Sequence, residues 1–159
     1  MTEQQALFSA ISFINYEADV LDQEEFNHWL TLWKPEGLYV IPIDQKTEDF
    51  ANTLNYAYDN QHMREKRVNR LYSGESISTT PRARTIRMLA RYRLLHASEE
   101  RVEIRCAQSL WEYRKGNAQH YVADVTYTLV PEGESFLILK KVIRVINGQD
   151  FLRSIGYIM

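Results

Sequence analysis

A single cysteine, Cys106, stands in the 159 residues. No internal disulfide can staple the fold, and one thiol cannot build an iron–sulfur cluster or a Cys-rich zinc site. Proline and glycine are scarce as well, four and six, which excludes collagen-like and linker-rich chains. No apolar run approaches the ~20 residues of a spanning helix. The opening Met1-Thr2-Glu3-Gln4-Gln5 has neither the basic start nor the apolar stretch of a signal peptide. Nor does one sign of charge dominate: 19 basic against 21 acidic side chains leave −2, no general reason to expect nucleic acid. What is present is a globular composition, 45% hydrophobic and 25% charged. The length is that of one domain, long enough to bury about 70% of its unfolded surface. A soluble, cytoplasmic single domain over residues 1–159 is expected.

The first 34 residues hold no Gly or Pro. Thr2 and Gln5 read as a capping box, and Leu7, Ile11, Ile14, Ala18 and Leu21 follow at helical spacing. Asp22 with Glu25 makes a second box, so the helix is expected to restart there. Its stripe is Phe26, Trp29, Leu30 and Trp33, and Pro35 and Gly37 end it. Leu38 to Ile43 is a short β-rich run whose Pro42 marks a strand end or edge. Residues 44–58 read as irregular, Asp59 as the N-cap of a third helix to about Leu71, and 73–81 as a loop.

From Arg82 to Ile146 the period changes to two. Ile86, Met88, Ala90, Tyr92 and Leu94 alternate with Arg87, Leu89, Arg91 and Arg93. Val102, Ile104, Cys106, Gln108 and Leu110 do the same on the next run. Lys115-Gly116-Asn117 and Pro131-Glu132-Gly133-Glu134 supply the turns to two further strands. A four-strand antiparallel meander with one apolar face needs a cover, and the N-terminal helices are the cover available. The fold class is α+β, with N-terminal helices packed in the concave face of a curved, mainly antiparallel sheet.

Chemistry is sparse. His28, His62, His96 and His120 fall on separate elements. Asp59-x-x-His62 looks like half of a non-haem iron motif, but Arg67 stands where the second His belongs. No metal site is assigned. No G-x-S-x-G elbow or Gly-rich phosphate loop occurs, and Cys106 sits on the apolar phase of a strand as a structural thiol. Acid–base work in a pocket under the sheet is the alternative, with Tyr16, Asp19, Trp33, Tyr39, His62 and Tyr127 as its candidate lining. The arginines are the most unusual feature: Arg82, Arg84, Arg87, Arg91, Arg93, Arg101 and Arg105 crowd two adjacent strands. Glu99, Glu100 and Glu103 are interspersed among them, which favours a protein–protein surface over a basic stripe for nucleic acid.

A resemblance then emerges from motifs in fixed order. They are Tyr16-Glu17-Ala18-Asp19-x-Leu21-Asp22, Phe26-x-x-Trp29-Leu30-x-Leu32 and Tyr39-x-x-Pro42. Tyr58-Asp59, Arg67-Val68-x-Arg70-Leu71, Pro81-Arg82-Ala83-Arg84-Thr85-Ile86-Arg87 and Lys140-Lys141-Val142-Ile143-Arg144-Val145 complete the set. Together they resemble the small (beta) subunit of bacterial aromatic-ring-hydroxylating dioxygenases. The resemblance implies a cone-shaped fold like that of nuclear transport factor two. It also implies a scaffolding role without a catalytic centre in this chain. The Rieske cluster and mononuclear iron would lie in a partner alpha subunit, and the chain would form a homotrimer within a mixed hexamer. It nominates Arg67, Arg70, Arg82, Arg84 and Arg87 as subunit-interface positions. The runner-up is a stand-alone dehydratase or isomerase on the same fold.

Overall fold

The computed structural model describes residues 1–73, 83–147 and 158–159; the expected 73–81 loop lies almost wholly outside them, as does Arg82. Helix α1, Glu3–Asp22, starts at the expected box: Thr2 Oγ1 accepts from Gln5 N, and Gln5 Oε1 accepts from Thr2 N. Its inward stripe is Ala6, Ala10, Phe13, Ile14, Ala18 and Leu21, with Glu17 among them. The second box does not form. Asp22 is the last residue of α1, and its carboxylate accepts from Thr85 Oγ1, Arg87 N and Arg87 Nη1 instead. Helix α2, Phe26–Leu30, is accordingly a little over one turn, and its N-cap Glu25 makes no side-chain cap bond.

Trp33, Pro35 and Gly37 therefore belong to a strand, not a helix end. Strand β1 is Trp33–Pro42, irregular between Trp33 and Leu38 and closing at Pro42 as expected. Gly37 is required there, because a Cβ would lie 2.8 Å from the Trp33 ring. Strand β2, Asn55–Asp59, occupies the end of the stretch expected to be irregular and pairs antiparallel with β1. Helix α3, Gln61–Ser73, is capped by Asn60, whose Oδ1 accepts from Met63 N; Asp59, the expected cap, is the last residue of β2.

The meander is as expected: β3 Arg84–Ala97, β4 Val102–Arg114, β5 Asn117–Glu132 and β6 Ser135–Val145. Lys115 and Gly116 turn β4 into β5 with φ of 51° and 82°, the left-handed pair a tight hairpin needs. With β1 and β2 added, the sheet among the described residues has six strands in the order β2-β1-β6-β5-β4-β3, and of these pairings only β1–β6 is parallel. Helix α1 packs across β3, β4 and β6, and α3 against β1 and β2.

One departure moves side chains between faces. Between Ala90 and Arg93 strand β3 holds an extra residue relative to β4, with Arg91 at φ 55°. Such a bulge reverses the alternation downstream. Tyr92 and Leu94 therefore pack against the core as expected, while Ile86, Met88 and Ala90 point outward and Arg87 points inward.

Candidate functional site

The sheet's pairing puts Asp59, Tyr39, Lys141, Tyr127, Ile104 and Leu94 in one cross-strand row on the inner face. Glu17 descends on this row from α1 and is fully buried. Its Oε1 accepts from Tyr127 Oη at 2.7 Å and Lys141 Nζ at 3.1 Å; its Oε2 accepts from Trp29 Nε1 at 2.9 Å and Lys141 Nζ at 2.8 Å. Burial alone would raise the Glu17 pKa, but the Lys141 charge and these bonds outweigh it and hold the carboxyl below its ordinary value. Lys141 also moves down: burial lowers it, and Glu17 restores it only in part. The two shifts agree once the donors are counted, for the anion is solvated by three side chains and the cation by one. Burial pushes the Tyr127 hydroxyl well up, with Glu17 adding to it, and the Cys106 thiol up to about 12.

A second polar knot lies beside it. Tyr39 stands edge-on to Trp29 and Trp33, its hydroxyl pushed up to about 12 by burial. Arg67 Nε donates to Asp59 Oδ2 at 2.7 Å, and Arg64 lies over the Trp33 ring while donating to the Gly37 carbonyl. Met159 N donates to Tyr39 Oη, and Arg87 donates to the Ile158 and Met159 carbonyls while pairing with Asp22 at 2.5 Å.

The candidate pocket set thus divides. Trp33, Tyr39 and Tyr127 meet inside, whereas Tyr16, Asp19 and His62 are exposed on α1 and α3. Tyr16 bonds His28 at 2.7 Å on the surface. A pocket acid or base needs a free lone pair facing a cavity. Glu17 has four bonds and no exposure, so among the described residues its carboxylate is fully engaged. Glu17 and Lys141 were not singled out from sequence, although each is a charge on an apolar phase, the helix stripe for one and the Ile143–Val145 strand phase for the other. Among the described residues no three His, Cys, Asp or Glu side chains converge, so the donors for an iron or a cluster are not assembled there.

The interface arginines divide too. Arg70 and Arg84 are exposed, and Arg82 lies outside the described residues. Arg67 is half-buried on Asp59. Arg87 is turned inward by the bulge, and its guanidinium bonds to Asp22 and to the Ile158 and Met159 carbonyls.

The outer face shows what is left open. Cross-strand rows there run Arg84–Tyr113–Ala118, Ile86–Trp111–His120 and Met88–Ser109–Val122. The Trp111 and His120 rings stack at 4.2 Å, and His120 Nε2 lies 2.6 Å from Ser109 Oγ. Ile86, Met88, Trp111 and Tyr113 are 58, 53, 43 and 57% exposed and line a groove of about 470 Å³ with Arg84, Glu112 and Ala118.

Residues 16–149 match the family described as ring hydroxylating beta subunit. The small subunit of 2-halobenzoate 1,2-dioxygenase from Burkholderia cepacia is 28% identical over 96% of this chain and 94% of its own length. The beta subunit of benzoate 1,2-dioxygenase from Burkholderia mallei superposes with a TM-score of 0.78 at 22% identity, covering 96% of this chain and 97% of that one. An NTF2-like protein with a cystatin-like fold from Novosphingobium aromaticivorans shares the fold, with a TM-score of 0.59 at 10% identity over 92% of this chain and 85% of that one.

Proposed function

The chain belongs to the ring hydroxylating beta-subunit family, and from that premise we propose that it is the non-catalytic small subunit of a terminal oxygenase that dihydroxylates an aromatic ring. Its partner is the large, alpha subunit, which holds the Rieske cluster and the mononuclear iron. Three small subunits hold three large ones in register in a mixed hexamer in the cytoplasm. The observation that carries this reading is the contrast between the two faces of the sheet. The inner face is closed by Glu17, Trp29, Trp33 and Tyr39, and the outer face keeps a rimmed apolar groove. Exposed contiguous apolar surface of this kind marks an interaction site, which an assembling subunit needs.

Among the described residues, Arg70 and Arg84 are the nominated arginines that stand exposed, and they are assigned to partner contacts. The test is co-expression with a large, alpha subunit of such an oxygenase. The two chains are expected to co-purify in a fixed ratio with iron in the large one, and oxygenase activity is expected to collapse when the small chain is omitted. A large subunit fully active alone, or one that never binds this chain, overturns the reading. The alpha subunit, not this chain, selects the aromatic substrate.

A further inference from the structure

Three polar side chains of the inner face, Tyr39 on β1, Arg87 on β3 and Gln108 on β4, converge on the main chain of one short segment. That segment is Ile158–Met159, which has no exposure. Met159 N donates to Tyr39 Oη at 2.8 Å. Gln108 Nε2 and Arg87 Nε each donate to the Met159 carbonyl at 3.3 Å, and Arg87 Nη2 donates to the Ile158 carbonyl. All three side chains are themselves more than nine-tenths buried. Arg87 is fixed in turn by Asp22 and by Thr85 Oγ1. Whatever fills this socket therefore fastens the end of α1 to three strands.

A buried polar side chain is unfavourable until it finds a partner. Gln108 is the plainest case: it stands on the apolar phase of β4 between Cys106 and Leu110, both fully buried, and its amide is used on the Met159 carbonyl. Together the three side chains read one peptide unit and its neighbour. N–H donors take two successive carbonyl oxygens, and a hydroxyl oxygen takes the N–H between them. The ionised groups packed around the socket are engaged already. Arg87 pairs with Asp22, Arg67 with Asp59 and Lys141 with Glu17. Arg64 is held by the Gly37 and Lys34 carbonyls and the Trp33 ring. The guest that suits such surroundings is a neutral, apolar peptide rather than an anion.

We propose that Tyr39, Arg87 and Gln108 form a binding site for an apolar peptide, filled in cis by Ile158–Met159 and able to take an equivalent peptide from outside when those two side chains no longer hold it. The site lies on the inner face, away from the outer groove, and goes beyond the assembly reading without resting on it.

The experiment uses the full chain carrying Ile158→Gly and Met159→Gly together, which keeps the main chain and removes both apolar side chains. The probe is N-acetyl-Ile-Met-N-methylamide, with N-acetyl-Asp-Asp-N-methylamide as control, and the readout is thermal unfolding. The Ile-Met probe is expected to raise the Tm of the variant by about 3–6 °C at a tenfold excess over its Kd. The native chain should not respond, because its socket is filled, and the Asp-Asp control should move neither. Adding Gln108→Leu removes one donor and is expected to weaken the probe about fivefold. If the double-glycine variant does not fold alone, folding restored by the probe supports the site equally. A variant that ignores the probe, folded or not, overturns the proposal, because Ile158 and Met159 are then ordinary core residues. An equal response in the native chain, or one untouched by Gln108→Leu, overturns it too, since the probe then binds elsewhere. Co-purification with the large subunit is a separate measurement, so either reading can fail while the other stands.

Discussion

Of the three tryptophans, two close the inside of the sheet and one stands on its outside. Trp29 and Trp33 meet edge to face at 5.4 Å, buried, with the Trp29 indole spent on Glu17. Trp111 lies flat on His120 and leaves much of its surface in solvent. Inside, Trp29, Trp33, Tyr39 and Tyr127 are each held against a charge or another ring, and removal of Trp29 or Tyr127 takes a donor from Glu17. Outside, Trp111 and Tyr113 rest on the sheet, more than two-fifths exposed, and among the described residues neither is enclosed by the chain. Stability and association are thus written on opposite faces of the same strands, and the two can be broken separately.

The largest effect is expected on the inside. Glu17→Gln leaves Lys141 charged and enclosed without its counter-ion, which costs about 3–5 kcal/mol and should appear as an early denaturant midpoint. Phe50→Ala opens the covered half of the outer face, where Phe50 packs on Val40 and Val142, and costs about 3 kcal/mol, again by denaturant unfolding. It makes that half resemble the groove side without making it an interface.

Acid should act through Glu17 next. Its folded pKa is held below the ordinary 4.5, so the unfolded chain binds the proton first as pH falls. The stabilisation is complete above the ordinary carboxylate value and is lost as pH drops toward the lowered one. Chemical unfolding followed from neutral pH into acid should show this loss in the native chain and a flatter profile in Glu17→Gln. On the outside the same measurement should barely move: Arg84→Glu changes unfolding of the isolated chain by no more than about 0.5 kcal/mol, yet light scattering should show weakened assembly. A folded Arg84→Glu variant that assembles normally would remove this residue from the interface. Smallest of all is the Cys106 signal: a thiol reagent should report almost no reaction until denaturant opens the core.

The sequence pattern carried the meander, its turns and the α1 cap, because period and turn chemistry are local. What it missed was set by contacts across the fold. Asp22 looked like an N-cap because Glu25 sits three residues on, yet Thr85 and Arg87, over sixty residues away, claim its carboxylate. Trp33 fits the α2 stripe, but its place beside Tyr39 and under Arg64 makes it the first residue of β1. The Arg91 bulge has no Gly to announce it, and it moved Arg87 from the expected interface to the interior. Glu17 was legible in principle: a carboxylate on an apolar stripe and a lysine on an apolar strand phase imply each other. Tyr39 and Tyr127, by contrast, were legible as aromatic residues with a polar tip, and both lie in the interior.

The Glu17 cluster also dictates when the chain can finish folding. Its partners Tyr127 and Lys141 follow 110 and 124 residues later. Until β5 and β6 are in place the first helix carries a carboxylate on its apolar side that nothing can neutralise, so it cannot settle onto the sheet. The N-terminal helix is thus the first element made and among the last to be secured. A chain truncated before β6 is expected to lose the docking of the helix as well as the strand, because Glu17 would be buried without Lys141.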